Sequence, residues 1–180
     1  MAGVCNHLGI SMGKSFDSPS KANPKGYFED LDFKKLHKEM LEGIDVGAAY
    51  LELVGRREQE FGLWGVKDPR LCLLLDELTN KLSTEHRLIN VIRPTDEITQ
   101  SLHKQMGDVG DWEKLAEYYL EQKEVQLQHY ESQIINIQYH DLLSDTKVVV
   151  GRIANFVAGH RPFDSWSSHD KLRTATESIG

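Results

Sequence analysis

Cysteine is nearly absent: Cys5 and Cys72 are the only two thiols in 180 residues. They show no CxxC spacing, and no Cys/His pair has ligand spacing. They read as free, buried thiols in a reducing compartment, so no disulfide framework and no metal site are expected. Positive charge is also short: 21 lysines and arginines face 28 aspartates and glutamates, a formal net charge of −7. A chain that grips a nucleic-acid polymer needs a basic face, so that partner is not expected. A local basic pocket for a small anion remains compatible with the balance. No apolar run approaches the ~20 residues that span a bilayer, so no membrane partner is expected. The opening MAGVCNHLG lacks the length and the basic flank of a secretory leader, and the expected localisation is cytoplasmic.

Proline is sparse too, five in all, and two of them, Pro19 and Pro24, sit in one loop-like stretch over residues 10–29. A connection of that length is uncommon in a compact domain. It is either functional or a surface excursion tied down by Tyr27 and Phe28. Around it the apolar residues recur at helical spacing. The first nine residues resemble the tail of a helix stopped by Gly9. Helices are predicted over about 31–42, with Asp30 or Asp32 as cap and Phe33, Leu36, Met40 and Leu41 on one face, and over 46–61, with Tyr50, Leu51 and Val54 inward. Four more follow at about 70–82, 96–106, 112–131 and 144–159.

Three short runs break that period: LWGVKD (63–68), RLINVIR (87–93) and a segment beginning at Ile134. Strands alternating with helices of this length imply an α/β class with a parallel sheet. One domain is expected over 1–160, with a polar tail over 161–180.

Ligands of open parallel sheets bind outside the carboxyl ends of the strands. Two predicted strands end there in charge, one in Lys67 and Asp68, the other in Arg93. Strands must finish somewhere, and charged residues suit an exposed end. Two such ends in one layer would nevertheless make a cationic site for a phosphate or sulfate. Ser101, eight residues beyond Arg93, is expected early in the next helix, where its hydroxyl would add a donor to the arginine fork. The competing reading pairs Arg93 with Asp96 or Glu97 and leaves Ser101 facing solvent.

Read in order, LGISMG, NPKGYFED, WGVKDPRLCLLLD, RLINVIRPTDEITQSL and IQYHDLLSDTKVVVGRIANFVAG resemble consecutive blocks of the bacterial sulfotransferase-like family, covering roughly residues 1 to 160. The resemblance implies a three-layer parallel sheet of the P-loop/sulfotransferase type. It also implies transfer of a sulfuryl group from 3′-phosphoadenosine 5′-phosphosulfate, as co-substrate and without a metal, to a hydroxyl or amine of a small-molecule or carbohydrate acceptor. In the family's pattern Arg93 and Ser101 hold the donor's 3′-phosphate, and Lys67 lies near the transferring group. The loop around Asn23, Lys25, Tyr27 and Glu29 lies near the acceptor mouth. Fixed cations and in-line positioning carry most of such catalysis.

Two departures qualify what the resemblance implies. Many members place a histidine base two residues after the lysine, where this chain has Pro69. Asp68 is the nearest replacement and Glu29 another, while the competing role for Asp68 is to cap the helix beginning at Arg70. The family's first strand and its phosphate loop have no counterpart in the sequence. The expected sheet therefore lacks its central strand, the chain reads as truncated, and donor binding is expected to be weak or lost. A noncatalytic assembly module, pairing with a partner or a second copy through open sheet edges, is the alternative. A nucleotide or sugar kinase would need the same missing loop.

Overall fold

The structure, a computed structural model, describes residues 1–21, 23–24, 26–83, 85–130 and 133–159. The tail expected over 161–180 lies outside the described residues. The chain is a mixed α/β protein that divides into two compact units, interleaved along the sequence. One is built from Met1–Ile10, His86–Arg93 and the chain from Tyr130; the other from Ser11–Glu85 and Pro94–His129.

The first unit holds α1 (Ala2–His7), β1 (Leu88–Ile92), β2 (Ile134–Gln138), α7 (Tyr139–Ser144) and α8 (Thr146–Ala158). β1 and β2 run parallel, with Leu88 opposite Ile134 and Ile92 opposite Gln138. Asn90 donates to the side-chain oxygen of Asn136 at 2.9 Å, which fixes the register at its midpoint. Ile137, Val150 and Ile153 are buried against Val4 and Leu8. The short helix α1, marginal by itself in water, is thereby held by burial. It ends as expected at Gly9, whose φ of 85° is the left-handed stop.

The second unit is helical: α2 (Leu31–Leu41), α3 (Gly47–Glu60), α4 (Leu71–Thr79), α5 (Thr95–Met106) and α6 (Trp112–Leu127). Its core gathers on Phe33, which stacks on Trp64 at 5.6 Å between ring centroids and meets Tyr50 edge-on at 5.6 Å. Leu53, Val54, Leu74 and Leu78 complete that cluster. Asp30 caps α2 by accepting from the Asp32 amide at 3.0 Å.

Two expectations need correction. Residues 63–68 form no strand: Trp64 makes a single parallel bridge to Ser11, through the Ser11 amide to the Leu63 carbonyl at 3.0 Å and the Gly65 amide to the Ser11 carbonyl at 2.9 Å. With only one facing residue to pair with, the ladder cannot propagate. Among the described residues the sheet therefore has two strands, not three. The segment expected to begin as a strand at Ile134 does so, as β2, and turns into α7 after Gln138. Leu41 and Leu51, expected inward, are exposed; the buried stripe of α2 runs instead through Phe33 and His37, and that of α3 through Tyr50, Leu53, Val54 and Arg57.

Candidate functional site

The loop expected over 10–29 is a strap folded back on the helical unit. Ser11 bridges Trp64, and Phe16 bridges Asp30. At Gly13 the backbone adopts φ 130°, and a Cβ there would stand 2.3 Å from the Asp30 carboxylate; only glycine lets the strap pass so close. The Asp30 carboxylate accepts from the Lys14 amide at 3.0 Å and from Arg57 at 2.8 Å, in addition to its capping bond. Arg57 reaches Asp32 as well, at 2.9 Å. The strap is thus tied to α2 and α3 through one buried carboxylate.

Two residues before the end of the strap's return, Phe28 adopts φ 53°, the one non-glycine residue with positive φ among the described residues. A bulky side chain rarely accepts that conformation. Glu29 follows directly, and its carboxylate, with a side chain only 10% exposed, pairs with the ammonium of Lys67, whose side chain is 41% exposed. The second oxygen faces the Lys34 ammonium at 3.7 Å. Lys34 also pairs with Asp17, and that hydrogen bond raises the lysine's pKa above its ordinary value. Two predicted residues, Glu29 and Lys67, therefore meet in one ion pair across 38 positions of sequence.

Asp68, next to Lys67, turns inward. Its carboxylate accepts from His37 Nδ1 at 2.9 Å, from the Arg70 amide at 2.9 Å and from the Arg70 guanidinium at 2.9 Å. The side chains of His37 and Asp68 are 0% and 1% exposed. Burial by itself would raise the Asp68 pKa; the hydrogen bonds from His37 and the Arg70 amide outweigh it and hold the carboxyl below its ordinary value. Both oxygens are engaged, Oδ1 by the Arg70 amide and guanidinium and Oδ2 by His37 and the same guanidinium; the N-cap of α4 is Arg70, and no side chain makes a capping bond there. Asn23 and Tyr27 bond within their own loop: Asn23 Nδ2 donates to the Gly26 carbonyl at 2.7 Å, and the Tyr27 hydroxyl lies 2.8 Å from Ser20 Oγ. Lys25 lies outside the described residues.

In the other unit, Arg93 follows directly on β1, and its guanidinium lies over the Tyr139 ring at 4.4 Å. Tyr139 is the first residue after β2. The carboxyl ends of the two parallel strands are therefore joined by a cation–π contact. Ser101 belongs to the helical unit and sits in the middle of α5, not in its first turn; its hydroxyl accepts from Gln105 at 3.1 Å.

No family model matches this chain, and no curated protein and no solved structure matches it either. Among the described residues no group of three or more His, Cys, Asp or Glu is placed to hold a metal ion, and no helix is long and apolar enough to cross a membrane.

Sequence reasoning missed Lys34, His37 and Tyr139. His37 had a readable signal: it lies four residues after Phe33, a polar residue on an apolar face, and such residues are buried only with a partner. Lys34 had none, because an ammonium on a capped helix ordinarily faces water. Tyr139 lay within a quoted block, but its ring contact depends on the β1–β2 pairing, which the sequence does not spell out.

Proposed function

We propose that this chain is a sulfotransferase-like domain of the P-loop type. It handles 3′-phosphoadenosine 5′-phosphosulfate as the sulfuryl donor for a hydroxyl or amine acceptor; in the strand-bearing unit Arg93 is the candidate contact of the donor's 3′-phosphate, and in the helical unit Lys67 and Ser101 are the positions that the family resemblance names. One observation carries this reading: a guanidinium held over an aromatic ring at the carboxyl end of a parallel strand pair. That is the edge at which open α/β sheets bind ligands. The ordered blocks from LGISMG to ANFVAG support the same reading.

On this reading Arg93 is the cation that meets the 3′-phosphate. Titration with adenosine 3′,5′-bisphosphate, followed by amide chemical shifts, tests this. Weak binding that Arg93→Ala reduces by about tenfold or more is the expected result. Binding indifferent to Arg93→Ala sinks the reading.

A second reading, a noncatalytic assembly module, is favoured by a different observation. Among the described residues β1 pairs only with β2, so a two-stranded sheet presents outer edges. A second copy of this chain is the partner in that case. Sedimentation across a concentration series checks it, and a strict monomer removes it.

A further inference from the structure

We infer that Glu29 is a resident anion: its carboxylate fills a site, formed by Lys67 and Lys34, that is built for a sulfate- or phosphate-type oxyanion. The inference rests on the reading of Lys67 as the group that meets the transferred sulfuryl oxygens. It adds Lys34 as a second ligand of those oxygens and Glu29 as the group they must displace.

The geometry is that of a small bidentate anion. One oxygen of Glu29 lies against the Lys67 ammonium and the other faces the Lys34 ammonium at 3.7 Å. The two lysines come from different elements, α2 and the segment before α4, and converge on a single carboxylate that is itself nearly buried. A carboxylate taken out of water needs such pairing to remain ionised. The two lysine side chains, by contrast, are 41% and 32% exposed, so solvent reaches this face of the pair. An oxyanion arriving from solvent therefore meets the same two donors that Glu29 now occupies.

The backbone says that Glu29 is held there against a local preference. Phe28 is fixed at φ 53°, a strained conformation for a bulky residue that persists only where its surroundings impose it. On the other side Asp30 is immobilised by the Lys14 amide, the Asp32 amide and Arg57. Between a strained residue and a clamped one, the Glu29 side chain is held by its ion pairs to Lys67 and Lys34. Swinging it outward gives up its lysine partners but exposes both ammonium groups to an incoming anion. Asp17, paired with Lys34 on its far side, keeps that lysine in place when Glu29 leaves.

Sulfate itself is the probe, titrated into the full-length chain against chloride at matched ionic strength, with lysine methyl-13C labels reading each ammonium separately. In the wild-type chain the Lys34 and Lys67 signals shift together at high sulfate. Glu29→Gln, which keeps the shape and removes the charge, tightens sulfate binding at least about tenfold, since one like charge at contact distance is removed. Lys34→Ala or Lys67→Ala in the Glu29→Gln background reverses that gain. Glu29→Gln binding no tighter than wild type overturns the inference, as does a gain that survives Lys34→Ala. If Glu29→Gln does not fold, the wild-type titration decides: sulfate shifts confined to other lysines overturn it. Arg93 takes no part in this experiment, so its outcome is separate from that of the adenosine 3′,5′-bisphosphate titration.

Discussion

Asp68 illustrates how one carboxylate can be settled by its partners. Its pKa is held below the ordinary value of 3.8, so its contribution to stability is complete above that pH and is lost as pH falls through the lower folded value. Asp68→Asn leaves His37 and Arg70 facing an amide in a dry site, and a loss of about 3 kcal/mol is expected at pH 7. Urea denaturation at pH 7, 5 and 3 checks both parts: the gap between wild type and variant stays constant from pH 7 to 5 and narrows by pH 3. A gap that grows on acidification would contradict this account of Asp68. Gly13 makes a second residue-scale case. Gly13→Ala meets both a φ of 130° and a Cβ 2.3 Å from Asp30, whereas Gly43→Ala meets a φ of 78° with nothing within 4 Å. The Gly43 change is expected to cost about 1 kcal/mol and the Gly13 change about 2 kcal/mol more, because Asp30 cannot move aside. Thermal unfolding of the two variants side by side measures the difference.

At the scale of elements, the strap, α2 and α3 depend on one guanidinium. Arg57 is buried and reaches Asp30 and Asp32 from the far end of α3. Arg57→Met leaves the Asp30 carboxylate in place without its counter-charge, and a loss of about 3 kcal/mol is expected in urea denaturation. Asp30→Asn combined with Arg57→Met recovers part of that loss, since the stranded charge is gone; strict additivity of the two changes would argue that the pair is not coupled. This clamp also shows where the sequence stops being legible. Helices α2, α3, α5 and α8 lie within about two residues of their expected bounds because apolar periodicity and caps are local signals. The 63–68 run has the composition of a strand, yet strand formation depends on which segment lies beside it, and here that is Ser11 alone. Arg57 was unreadable as core for a related reason: it is buried only because a carboxylate distant in sequence meets it. Of the candidate site, the Glu29–Lys67 meeting was within reach of the sequence, as both stood in motif blocks. The left-handed turn at Phe28 that aims Glu29 was not, since nothing about a phenylalanine announces it.

For the whole molecule, the order in which segments alternate sets an energetic asymmetry. The strand-bearing unit draws on three stretches of chain, separated by Ser11–Glu85 and Pro94–His129, insertions of 75 and 36 residues. The helical unit draws on two, joined by the eight residues His86–Arg93. Closing long loops costs more entropy than closing a short one, by about 0.6 kcal/mol per doubling of length. The strand-bearing unit bears that cost in full unless the insertions are themselves folded and so effectively shortened. It follows that unfolding of the helical unit drags down the strand-bearing unit more than the reverse. Phe33→Ala and Ile153→Ala, each emptying a site that is almost fully buried, should each remove about 3 kcal/mol from their own unit. Native-state hydrogen exchange then reads the coupling. In Phe33→Ala the amides of β1 and β2 lose protection nearly as much as those of α3. In Ile153→Ala the amides of α3 lose at least about 1 kcal/mol less protection than those of α8, in keeping with the loop-length difference. Equal losses in both units with both variants would mean a single cooperative transition in which segment order has no influence, and the opposite asymmetry would mean that the two-stranded sheet, not the helical unit, organises the fold.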